Sequence, residues 1–153
     1  MSPTRPHIPS DSGQALVEFA LVLPILLIVL LGIVDFGRAL NYYNDATHLS
    51  AEAARFAVVN RKPDVANAAS LQLQIHQQAD SPELRNGSTS VTNAAQVCVD
   101  FPNGTQLAGD PVRVRVGFTY SWLPFLDIGA ATISASSVMR LEAAPTTYSV
   151  GCA

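Results

Sequence analysis

The spacing of apolar positions along this 153-residue chain changes twice, and each change predicts a different kind of element. Phe19 to Val34 reads FALVLPILLIVLLGIV, a run without a charge. Taken back to Gln14 it makes a helix about 31 Å long, enough to cross a hydrocarbon core of about 30 Å. Beyond Val34, residues Phe36, Ala39, Tyr43, Ala46, Ser50, Ala53 and Ala57 recur at intervals of three and four, tracing one stripe on a helix that continues to about Asn60. Small side chains let a helix approach its neighbours closely, so the stripe suits packing beneath the protein's own sheet or bundling with sister helices. Lys62-Pro63 ends the helix, because the residue before a proline is pushed out of the helical region.

Asp64 to Asp80 predicts a second helix with Asp64 as its cap and Ala68, Leu71, Ile75 and Ala79 on one face. Within it, Leu71-Gln72-Leu73-Gln74-Ile75 also alternates like a strand, so both readings stand there. After Pro82 and the turn signal Asn86-Gly87 the period shortens to two. Val97, Val99 and Phe101 share one face of a short strand, with Cys98 on the other, and Pro102-Asn103-Gly104 supplies a turn. The clearest strand follows. Val112, Val114, Val116, Phe118, Tyr120 and Trp122 form one face, and Arg113, Arg115, Thr119 and Ser121 the other. A further strand places Ile133, Ala135, Met139 and Leu141 inward. The expected fold is α+β: a long N-terminal helix, transmembrane in its first half, with a small antiparallel sheet of three to four strands packed on its outer end.

Composition sharpens the membrane reading. A content of 48% hydrophobic and 14% charged residues is apolar for a soluble chain, and the excess is concentrated between Ala15 and Val34. Glu18 falls inside the apolar end of this helix, where a carboxylate costs roughly 2.5–3.5 kcal/mol at the centre of a membrane and less near its edge. Either it lies at headgroup level in water, or a partner compensates it. Pro24 removes one amide donor and leaves the Ala20 carbonyl without its usual partner, which favours a kink. A cleavable secretory signal is the competing reading of the segment. Against it stand the single Arg5 before the run, the length of the run, and Asp35-Phe36-Gly37-Arg38 where a small-x-small site belongs.

Gly13-Gln14-Ala15-Leu16-Val17-Glu18-Phe19 followed by the apolar run resembles the prepilin signature, in which a peptidase cuts after a Gly and a Glu stands fifth in the mature chain. The longer stretch from Gly13 to Val58 resembles the TadE-like family, pseudopilins of the tight-adherence (Flp) pilus assembly system, over about the first third of the chain. The resemblance implies that residues 1–13 are a leader, that Gln14 becomes the new N-terminus, and that Glu18 serves processing or assembly. The α-amino group of Gln14 on a neighbouring subunit could then neutralise the Glu18 carboxylate as helices pack. It implies as partners the lipid bilayer, other pilin or pseudopilin subunits, prepilin peptidase and the pilus assembly platform. It also implies a single-pass protein of the cytoplasmic membrane with residues 61–153 as an extracytoplasmic domain, following helical segments 14–34 and 35–60. The alternative is a monomeric, signal-anchored binding domain of the cell envelope.

Charge and chemistry narrow the remaining classes. The net charge is −3 and Lys62 is the single lysine, which leaves nucleic acid without the clustered cations it requires. His7, His48 and His76 form no motif; His76 and Asp80 could meet on one helix face, but two ligands make a weak metal site. No metal, cofactor or catalytic residue is expected, and no enzyme. Arg113, Arg115 and Arg140 could form a small basic patch or be ordinary solvent-facing strand residues. Cys98 and Cys152 lack metal-type spacing. In an oxidising compartment a bridge between them would add roughly 2–4 kcal/mol; otherwise they are two unrelated thiols.

Overall fold

The computed structural model describes residues 11–60, 71–124, 126 and 128–153. The chain divides into two compact units, Met1–Val34 and Asp35–Ala153, and one helix, α1 (Asp11–Val58), supplies residues to both. In the first unit α1 runs through Pro24 as helix, and its large apolar side chains from Leu16 to Val34 are exposed, from 36% at Leu23 to 70% at Leu16. Such a surface is stable in lipid and not in water. This helix is long and apolar enough to cross a membrane.

The second unit is α+β. The rest of α1 is followed by α2 (Leu71–Gln77), α3 (Pro82–Asn86), β1 (Gln96–Asp100), β2 (Pro111–Trp122), β3 (Gly129–Arg140) and β4 (Gly151–Cys152). The strands form one antiparallel sheet in the order β3-β2-β1-β4. Its register aligns Val97 with Val116, Val99 with Val114 and Val116 with Ala135, so the inward side chains of three strands make one continuous apolar face. That face closes on the buried side of α1, formed by Ala39, Tyr42, Ala46, Leu49, Ala53 and Ala57. The Tyr42 ring meets Phe118 edge-on at 6.2 Å and Tyr120 at 5.9 Å. Ala46, Ala53 and Ala57 are fully buried in this face, which the small-residue spacing allows.

The helix stops by its own chemistry. Asn60 adopts φ 50° and its amide donates to the Ala57 carbonyl at 3.2 Å, a left-handed close that asparagine tolerates. The last carbonyls then find partners from the far end of the chain: the Tyr148 hydroxyl donates to Ala57 O at 2.9 Å and the Glu142 amide to Val58 O at 3.1 Å. The helix thus ends at Val58, short of the expected Asn60, because the returning chain satisfies carbonyls that would otherwise seek another turn.

Other boundaries also differ from the pattern. The described part of the expected Asp64–Asp80 helix is α2 alone, with Ala79 and Asp80 beyond it; Asp64 and Ala68, like Lys62-Pro63, lie outside the described residues. The Leu71–Ile75 ambiguity resolves as helix, with Leu71, Gln72, Gln74 and Ile75 all buried. Phe101 stands just past β1, partly buried against the core. Neither α3 nor β4 has enough residues to show a period.

Candidate assembly and anchoring surfaces

In the first unit, Gly13, Gln14 and Glu18 lie in the opening turns of α1. A Cβ placed on Gly13 would meet nothing within 4 Å among the described residues. Gln14 Nε2 donates to Glu18 Oε1 at 3.1 Å, one turn along the same face, and both side chains are exposed. The fifth-position carboxylate is therefore held toward the residue that cleavage after Gly13 would turn into an amine.

The second unit uses its carboxylates differently. Asp35, the first residue after the apolar run, is 5% exposed. It accepts hydrogen bonds from the Tyr120 hydroxyl at 2.7 Å and from the Leu123 amide at 2.9 Å, and its carbonyl accepts from the same hydroxyl at 3.1 Å. Burial, then this hydrogen bond and the nearby carboxylate charge, push the Tyr120 phenol well above its ordinary pKa. Asp45, also buried, accepts from the amides of Asp80 at 3.3 Å and Ser81 at 2.8 Å, tying the start of α3 to α1. Both acids face inward where polar residues usually point to solvent. Asp35 could have been anticipated, because it lies four residues before Ala39 and so in phase with the stripe; Asp45 carries no such signal.

Of the predicted stripe, Ala39, Ala46, Ser50, Ala53 and Ala57 are buried, whereas Phe36 and Tyr43 are 56% and 44% exposed. A straight helix advances 100° per residue, so the buried line passes through Tyr42 and Leu49 and leaves Tyr43 beside it. Phe36 instead stacks on Trp122, with ring centroids 6.5 Å apart. Phe36, Leu40 and Tyr43 form the outward apolar line of this half of the helix.

Cys98 and Cys152 are bonded as a disulfide and are register partners in the short β1–β4 ladder. Val97 and Ala153 exchange backbone hydrogen bonds beside it at 2.9 and 3.1 Å, and buried Gln72 donates to the Ser149 carbonyl at 2.7 Å. The C-terminal segment is thus fastened at several points. The proposed basic patch is divided: Arg113 forms a two-pronged ion pair with Asp100, its register partner, through Nε at 3.0 Å to each oxygen, and Arg140 donates to the Gly109 carbonyl at 3.1 Å. His76 and Asp80 do not share a helix face, since α2 ends at Gln77. Burial, and then Arg85, lower the His76 pKa. No group of three metal-ligating side chains occurs among the described residues.

An apolar helix able to cross a membrane, leading directly into a small α+β domain packed on its second half, is a pilin-like plan. Residues 13–55 match the family model for TadE-like protein, so that segment is similar to the TadE-like family and, with the apolar helix, fits a membrane-anchored, pilus-related protein. Comparison with curated proteins gave no match, and comparison with solved structures gave none.

Proposed function

We propose that this chain is a pseudopilin or minor-pilin subunit of a tight-adherence pilus, a structural protein that acts by packing and not by catalysis. The supporting observation is the start of α1: Glu18 accepts from Gln14 one turn ahead, at the head of an apolar helix with no charge before Asp35. After cleavage following Gly13, the new amine of one subunit would meet the Glu18 carboxylate of another within lipid, where a charge pair is strong and a lone charge is costly. On this reading the helix lies in the cytoplasmic membrane, residues 61–153 are extracytoplasmic, and prepilin peptidase, sister subunits and the assembly platform are the partners. The disulfide agrees with an oxidising compartment.

Mass spectrometry of the protein purified from membranes of a cell that has the matching peptidase tests this. The expected mature chain begins at Gln14, and Glu18→Ala is expected to insert normally but fail to co-purify with pili. An intact N-terminus, or normal incorporation of that variant, defeats the proposal.

One observation supports the alternative of a monomeric anchored domain: Ala39, Ala46, Ala53 and Ala57 are occupied inside their own domain and offer nothing to a sister helix. Assembly contacts must then use residues 14–34 and the line Phe36, Leu40 and Tyr43. Crosslinkers placed at exposed Leu40 and Thr47 separate the two readings, since self or pilin adducts require assembly and adducts confined to other envelope proteins require the anchor.

A further inference from the structure

The β2–β3 hairpin is twelve residue pairs long, from Pro111↔Arg140 to Trp122↔Gly129, and at its tip several of the described side chains are large, apolar and exposed. Trp122 is partly exposed, Leu126 is 47% and Ile128 60% exposed, and Phe36 stacks against Trp122. The Leu126 amide donates to Leu123 O at 2.7 Å, so a turn presents Leu126 outward. Pro124 is exposed as well. In water such a group of side chains is costly.

Its position in the chain says what covers it. The tip is held by Asp35, through the Leu123 amide and the Tyr120 hydroxyl, and Asp35 is bonded to Val34, the last residue of the apolar run. Asp35, which holds the tip, directly follows the apolar run, one Cα step of about 3.8 Å along the chain. The same contacts hide the Asp35 carboxylate; the sequence also puts Asp127 in the turn, outside the described residues. Among the described residues there, Trp122 is partly exposed and Phe36, Leu126 and Ile128 are exposed, with exposed Arg38 one helical turn beyond Val34. Aromatic residues concentrate at the boundary of headgroups and acyl chains, and a nearby arginine suits lipid phosphates.

We infer that the tip formed by Trp122, Leu126 and Ile128, with Phe36, is a second membrane contact that inserts into the interfacial layer of the bilayer beside the emerging helix. The inference rests on the membrane reading given above.

Trp122 is the single tryptophan of the chain, which makes it an intrinsic depth probe. The full-length protein is reconstituted into phosphatidylcholine–phosphatidylglycerol vesicles, with and without lipids brominated near the headgroup or near the chain end. The control is Ile25→Trp in a Trp122→Phe background. The expected result is loss of Trp122 emission with bromine near the headgroup and less loss with bromine near the chain end, with the control quenched more by the deeper bromine. Leu126→Asp combined with Ile128→Asp should abolish the Trp122 quenching while the same pair leaves the control unchanged. Quenching of the control without quenching of Trp122 overturns the inference and leaves the membrane helix standing. Aqueous acrylamide then tells whether the tip lies in water or, if protected from both quenchers, against another protein. A control that bromine does not quench overturns the membrane reading and the inference with it.

Discussion

Asp35 is the residue on which most depends locally, because it accepts two hydrogen bonds in a place water barely reaches. Asp35→Ala leaves the Tyr120 hydroxyl and the Leu123 amide without that acceptor, and the expected destabilisation is about 3 kcal/mol. Thermal unfolding of the detergent-solubilised chain measures it, and Asp35→Asn, which keeps an acceptor, should lose less. A second prediction concerns alkali. Burial pushes the Tyr148 phenol up to about 12, and Tyr120 is raised as well, so the folded protein keeps protons that the unfolded chain releases above about 10. Stability is then complete below pH 10 and declines as pH rises toward 12. Phenolate absorbance recorded alongside circular dichroism should show ionisation together with unfolding, and Tyr148→Phe should flatten the decline while lowering stability at neutral pH through loss of its bond to Ala57 O.

At the scale of elements, α1 is one helix with two kinds of surface, and its sequence states this by changing from continuous apolarity to a stripe at Asp35. The outer half has no room on its inner side. Ala46, 0% exposed, should not accept a larger residue: Ala46→Leu is expected to cost about 1–3 kcal/mol, whereas Tyr43→Ala on the outer line should stay within about 0.5 kcal/mol. Denaturant titration of the two variants against the parent compares them directly. These elements were legible because period 3.6 and period 2 persist for many residues in α1, β2 and β3. Legibility failed where elements are short: α3 has five residues and β4 two, too few to establish a period. Phase failed in another way, since Tyr42 and Tyr43 are adjacent aromatics and only three-dimensional packing selects the one that is buried. Asp45 and Gln72 followed no pattern, because their partners are backbone groups distant in sequence.

At the scale of the molecule, the chain closes on itself. The disulfide joins residues 54 positions apart, and a loop of that size corresponds to about 4 kcal/mol of restricted unfolded-state freedom. Near it, Asn60 accepts from the Thr146 and Thr147 amides at 2.9 and 3.2 Å, so the end of the helix and the end of the chain stabilise each other. Cys98→Ser with Cys152→Ser should therefore lower the melting temperature and speed amide exchange first at residues 149–153, while β2 and β3 keep their protection. The anchoring half was readable from composition alone and the Cys98–Cys152 pair only as one of two possibilities, since spacing does not tell which strands lie side by side.

The clasp at Asp35 also has a mechanical meaning. Tension drawn along the helix from its apolar half reaches this carboxylate before it reaches the alanine face. Its two acceptor bonds lead into the middle of the sheet through Tyr120 and into the hairpin through Leu123, so the load is shared by paired strands.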